Sequence, residues 1–134
     1  MDVSRQKLFN FLILAFVFLF FFSIPLIIFK NLQKTLLNLE IREDLEELGM
    51  WAEFYKDKYG TYEGMEKEME IDRLAKTLDY LNADFFLIIE SRGRKFCAKA
   101  KIFDKEIKNW CVDSTKYAGS IINNCDYEKG IKCE

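Results

Sequence analysis

Leu8 to Phe29 reads LFNFLILAFVFLFFFSIPLIIF, a run of 22 residues without a charge and interrupted only by Asn10, Ser23 and Pro25. As a helix rising about 1.5 Å per residue it covers roughly 33 Å, enough to cross the hydrocarbon core of a bilayer. A cylinder apolar on every side finds no cover in a small soluble domain. The run therefore implies a membrane anchor. A short basic lead before an apolar run also suits a secretory signal, but no small-x-small cleavage signature follows, and Leu26 to Phe29 stays apolar beyond Pro25. An uncleaved anchor over residues 1–29 is the expectation. Arg5 and Lys7 precede the span while Lys30, Lys34 and Arg42 follow it, so the positive-inside count is nearly tied.

Composition matters for what remains. Residues 30–134 carry 39 of the 42 charged residues and all four cysteines, enough chain for one modest core. The sequence has no histidine, which removes the commonest general base and the usual nucleophilic triads. Its 20 basic and 22 acidic residues do not make a broadly basic nucleic-acid binder. The glycines stand apart rather than forming a phosphate-cradling loop. An anchored, non-enzymatic module is the class left standing.

Helical periodicity continues from Lys30 to Tyr59. Leu37, Ile41, Leu45, Leu48, Ala52, Tyr55 and Tyr59 advance by steps of four and three, opposite Glu40, Arg42, Glu43, Glu46, Glu47, Glu53 and Lys56. Such a stripe covers the chain's own sheet or forms a coiled-coil seam, the former being the more common case. Because the pattern runs through Phe29, anchor and stalk are expected to form one long helix, loosened or bent at Pro25. Gly60 suits its end. A second helical pattern holds Ile71, Leu74, Ala75, Leu78 and Leu81, closed by Asn82–Asp84.

Phe85–Ile89 is a short apolar run typical of a buried strand. Lys95–Phe103 alternates, with Phe96, Ala98, Ala100 and Ile102 on one face and Lys95, Cys97, Lys99 and Lys101 on the other. Ile107–Asp113 is a third strand, and short turns make the three an antiparallel meander. From Ser114 onward no strong periodicity is expected. The fold class is thus α+β: a long N-terminal helix on a three-stranded antiparallel sheet with a Cys-closed C-terminal loop.

Cys97, Cys111, Cys125 and Cys133 suit disulfides and therefore an oxidising compartment, which places the head outside and the N-terminus inside. Four cysteines allow three pairings. A hairpin centred near Asp104 sets Cys97 opposite Cys111 and favours Cys97–Cys111 with Cys125–Cys133, the latter closing a loop around Gly130. A four-cysteine zinc site lacks the close C-x2-4-C spacing such sites favour. No cofactor is expected; Asp113, Asp126 and Glu128 offer only a weak calcium pattern. Lys95, Lys99, Lys101, Lys105 and Lys108 make the hairpin locally basic, and Trp51 and Trp110 read as core or sheet-packing residues.

The order of these parts resembles the type IV pilin and pseudopilin family. Pro25 lies late in the apolar run, as in pilin N-terminal helices. Trp51-Ala52-Glu53-Phe54-Tyr55-Lys56-Asp57-Lys58-Tyr59-Gly60-Thr61-Tyr62 is similar to that family's tyrosine-rich helix end and Gly-Tyr turn. Phe96-Cys97-Ala98 with Trp110-Cys111-Val112-Asp113-Ser114 is similar to a sheet hairpin of bacterial pilin-like proteins. The resemblance implies a filament subunit assembling through its apolar helix, with Leu8, Phe9, Leu12, Phe16, Leu19 and Pro25 as assembly residues. Its implied partners are the bilayer and other pilin-like subunits. Where the family carries a processing Gly and a following Glu, this chain has Gln6-Lys7-Leu8-Phe9-Asn10-Phe11-Leu12-Ile13. That departure implies a minor or atypical member rather than an ordinary major subunit. The competing expectation is a single-span protein whose small disulfide-bonded ectodomain senses or binds a ligand.

Overall fold

The computed structural model describes residues 3–104, 106–121, 125 and 131–133. Helix α1 spans Val3–Tyr59 and contains Pro25. The chain divides into two compact units, Met1–Thr35 and Leu36–Glu134. In the first unit the helix is long and apolar enough to cross a membrane, and the side chains of its most apolar stretch are unburied. A helix satisfies its own backbone hydrogen bonds, the condition for placing such a sequence in lipid.

The second unit begins on the amphipathic end of α1. Gly60 terminates that helix at φ 75°, and its N–H donates to the Lys56 carbonyl at 2.7 Å. A 3-10 turn at Met65–Lys67 leads into α2, Met69–Tyr80, which buries Ile71, Leu74 and Leu78. Four strands follow: β1 Phe86–Ile89, β2 Phe96–Lys101, β3 Asn109–Asp113 and β4 Ala118–Ile121. They pair consecutively and antiparallel, in the order β1-β2-β3-β4.

The sheet thus has four strands where sequence periodicity predicts three. β4 is Ala-Gly-Ser-Ile, too short and too small in side chain to show an apolar alternation. It is placed by a turn organised around Asp113 rather than by its own hydrophobicity. The Asp113 carboxylate accepts hydrogen bonds from Thr115 N–H at 2.7 Å and the Thr115 hydroxyl at 2.5 Å, while Lys116 takes φ 66°. Side-chain acceptors of this kind fold Asx turns.

Strand alternation gives the sheet two different faces. Phe96, Ala98, Ala100 and Val112 share one apolar cluster with Ile41, Leu45, Leu48 and Ala52 of α1 and with Leu74 and Leu78 of α2. Cys97, Cys111 and Ile121 face the other way and cluster with Cys125 and Ile131. On the helix side the alanines of β2 keep the sheet surface low. There a β-carbon added to Gly49 would meet the Val112 side chain at 3.5 Å. At Gly93, in the β1–β2 turn, a side chain is excluded: φ is 60° and a β-carbon would lie 1.8 Å from Thr61 Oγ1. The Gly93 carbonyl accepts from Tyr62 N–H at 2.7 Å, tying the loop after α1 to the sheet.

Candidate functional site

Two features of the molecule carry chemistry that a bare scaffold does not need: the exposed apolar helix and the closed cysteine face. In the first unit Phe9, Leu12, Phe16 and Leu19 are 63, 57, 70 and 61% exposed. Asn10 and Ser23 are also exposed, and Phe20 and Phe21 meet edge to face at 6.2 Å. The side chain of Leu8 lies outside the described residues. Pro25 sits inside the helix without ending it. An apolar surface of this extent on every side of a helix needs lipid or other apolar helices around it.

In the second unit Leu37, Ile41, Leu45, Leu48, Ala52 and Tyr55 lie together against the sheet and α2. Tyr59 departs from that row: it is 51% exposed and its ring meets that of Tyr55 at 4.5 Å with a 44° tilt. The stripe is spent within the unit, so it is not a free seam. Besides Tyr59, this part of α1 leaves Leu36, Leu39, Met50 and Phe54 exposed.

Polar groups that the apolar stripe conceals hold the same helix in place. Asn38 is buried one residue after Leu37, and its side-chain oxygen accepts from Phe103 N–H at 2.6 Å, closing the end of β2. The Tyr62 hydroxyl donates to the Glu53 carboxylate, and Lys56 Nζ lies 4.7 Å from the Tyr62 ring centre. Burial, followed by Glu53, raises the Tyr62 phenol far above its ordinary range. Arg42 covers Trp110 at 4.6 Å, and Trp51 donates from its indole nitrogen to Glu47 at 3.3 Å. Asp44 keeps one buried oxygen without a partner among the described residues, and burial together with Glu40 and Glu47 raises its pKa.

The cysteines all meet on the other face. The structure joins Cys97 to Cys125 and Cys111 to Cys133, with Cα separations of 6.0 and 5.9 Å. This corrects the pairing expected from the hairpin, Cys97–Cys111 with Cys125–Cys133. The β2–β3 register pairs Cys97 with Asp113 and Lys99 with Cys111, so the hairpin is centred one residue later than Asp104. Cys97 and Cys111 become diagonal neighbours on one face, their sulfurs in contact at 3.2 Å without a bond. Each strand cysteine instead reaches down to the tail. The tail backbone is pinned by Asp113, whose second oxygen accepts from Cys133 N–H at 2.7 Å.

Asp113 is therefore committed to structure, while Asp126 and Glu128 of the weak calcium pattern lie outside the described residues. Of the basic hairpin residues, Lys101 pairs with Asp84 at 3.3 Å and Lys99 lies over the Phe86 ring at 5.5 Å; Lys105 is outside the described residues. A surface cleft of about 250 Å³ between α1 and the β3–β4 turn is lined by Glu46, Met50, Glu53, Lys116 and Tyr117. Sequence reasoning missed both Asn38 and the double duty of Asp113. Asn38 had one available signal, a polar residue set beside an apolar stripe. Comparisons with protein-family models, curated proteins and solved structures find no match.

Proposed function

We propose that this chain is a structural subunit of a type IV pilus-like or secretion-type filament. In this reading the apolar half of α1 anchors the chain and packs among similar helices, and the second unit is the displayed head. The observation that carries it is the pairing, on one helix, of a bare apolar segment with an amphipathic segment clamped to a disulfide-closed antiparallel sheet. The first requires an apolar environment and the second requires none. Filament assembly uses both halves, since exchange of lipid for neighbouring helices keeps the apolar half covered. The two disulfides favour an oxidising compartment for the head, giving a single-pass chain with its N-terminus inside. The role is mechanical and non-enzymatic. Gln6–Ile13, without the family's processing Gly and following Glu, favours a minor or tip position.

Electron microscopy of the purified full-length protein, alone and mixed with filament-forming pilin-like subunits, tests the proposal. Filaments whose core is built from residues 8–50, or incorporation of the chain into such filaments, is the expected result. A stable monomer or discrete dimer that joins no filament would overturn it in favour of a ligand-binding ectodomain on a single span. Non-reducing mass spectrometry of protein from its native compartment tests the orientation separately. Four free thiols there would defeat the extracytoplasmic head.

A further inference from the structure

The two disulfides do not sit apart. Besides the bonded pairs, Cys97 Sγ lies 3.2 Å from Cys111 Sγ and 3.8 Å from Cys133 Sγ, and Cys111 Sγ lies 3.8 Å from Cys125 Sγ. Cys97, Cys111 and Cys125 are buried, with their sulfurs mutually within 4.8 Å. A zinc ion bound to four thiolates at about 2.3 Å holds its sulfurs roughly 3.8 Å apart, the tetrahedral edge for that bond length. Three of the four unbonded pairs already match or approach that edge. To form the site the two bonded pairs must open, and Cys133 Sγ, which lies outside the group of sulfurs mutually within 4.8 Å, must draw nearer to Cys125 Sγ. Side-chain rotation supplies movements of this kind.

We propose that, with both disulfides reduced, Cys97, Cys111, Cys125 and Cys133 form a tetrathiolate site for one zinc-class cation. Strands β2 and β3 supply two neighbouring ligands from a rigid face, and the tail supplies the other two. The widely spaced cysteines hide this in the sequence, because no two of them have close zinc-ligand spacing; the sheet register brings them together. The chemistry balances in two steps. Each disulfide takes two electrons and two protons from a dithiol reductant, which becomes a disulfide, and yields two thiols. The four thiols then release four protons on binding one Zn²⁺, leaving a site of net charge −2. Coordination would replace the disulfides as the closure of the sheet's second face, before oxidation or after reduction. The inference does not depend on the filament reading.

The test uses the full-length chain in detergent, reduced with a phosphine, freed of reductant without oxygen, and titrated with Co²⁺ and then Zn²⁺. The expected result is one Co²⁺ per chain with the strong absorption of tetrahedral thiolate cobalt, displaced by one Zn²⁺. Cys97→Ser and Cys111→Ser should each lose the tetrathiolate spectrum, and the oxidised protein should take up no metal. Amide exchange of β2 and β3 in the reduced chain should slow when Zn²⁺ is added, as for metal-coupled folding. Absence of stoichiometric uptake, a pale octahedral cobalt spectrum, or an unchanged spectrum in Cys97→Ser would overturn the proposal. So would uptake without slowed exchange, which reports the thiols of an unfolded chain.

Discussion

On one face of the sheet Phe96, Ala98, Ala100 and Val112 meet the apolar rows of α1 and α2, whereas on the other Cys97 and Cys111 meet Cys125, Cys133 and Ile131. The first face is closed by many weak contacts spread over contiguous elements. Among the described residues the second is closed by two disulfides, the Asp113 carboxylate and a small apolar cluster with Ile121 and Ile131. A short antiparallel sheet can be covered on both sides by a chain of this length only if one cover is economical in residues. Disulfides supply that economy, because they restrict the unfolded chain instead of adding buried area.

The contrast predicts different costs for damage on the two faces. Phe96 is fully buried and its ring meets Tyr62 edge to face at 4.9 Å. Phe96→Ala should cost about 4 kcal/mol, the lost transfer energy plus the cavity left behind. Urea unfolding of the full-length chain in detergent, followed by Trp fluorescence, measures it. A loss near zero would mean that the helix face does not hold the sheet.

On the second face the disulfides close separations of 28 and 22 residues. Removing either pair, as Cys97→Ser with Cys125→Ser or as Cys111→Ser with Cys133→Ser, should cost about 3 kcal/mol in the same experiment. The two double variants should agree within about 0.2 kcal/mol on loop length alone. Both should retain a cooperative transition, since the helix face is intact. If either one unfolds without cooperativity, the covalent face is the principal support and the comparison reverses.

This division also explains what could be read from the sequence. The stripe from Leu37 to Tyr55, α2 and β2 advertise themselves through periodicity, because burial of side chains at fixed spacing is what holds them. The membrane run and β1 show only as continuous apolar runs, and β1, expected to be buried, is an edge strand with no fully buried residue. The four-residue β4 gives no such signal. Its position follows from the Asp113 turn and from the strand beside it, both tertiary facts. The disulfide pairing was illegible for a related reason. A shift of one residue in the centre of the β2–β3 hairpin moves Cys111 from opposite Cys97 to opposite Lys99, and the seven residues from Ile102 to Lys108 do not fix that centre. Tyr59 shows the opposite limit: it continues the stripe in sequence but lies past the end of the sheet's cover and is exposed.

A smaller effect separates two aspartates, one for each face. Asp113 is buried, and its oxygens accept from Cys133 N–H, Thr115 N–H, the Thr115 hydroxyl and Tyr117 N–H. Asp113→Asn keeps the shape but sets an amide NH2 where at least one of these donors needs an acceptor. The expected cost is about 1–2 kcal/mol, that of leaving a buried donor unsatisfied. Amide exchange at Cys133 and Thr115 should quicken first, localising the damage to the tail and the β3–β4 turn. Unchanged exchange there would show that Asp113 does not tie the two together.

Asp44, on α1, is the reverse case, with a buried oxygen that has no hydrogen-bond partner among the described residues and with Glu40, Glu43 and Glu47 nearby. Burial first, then Glu40 and Glu47, raises its pKa in the folded chain, and Arg73 only partly offsets them. The folded protein consequently holds this proton more tightly than the unfolded chain does. Below the ordinary aspartate value near 3.8 Asp44 is protonated in both states, and its charge has no effect on stability. As pH rises above that value the unfolded chain ionises first, so stability falls until the folded carboxyl has also lost its proton. Asp44→Asn removes the charge and adds an amide that can donate to Glu40 or Glu47, one helical turn away on either side. At neutral pH the variant should be more stable by about 0.5 kcal/mol, a value kept small by partial exposure and solvent screening. Near pH 3 the gain should shrink toward zero. Equal gains at both pH values would assign the effect to packing, and a loss at neutral pH would mean that Arg73 outweighs the surrounding acids. Removing one carboxylate should thus weaken the cystine face while removing the other strengthens the helix face, because both Asp113 oxygens have donors whereas a buried Asp44 oxygen has none among the described residues.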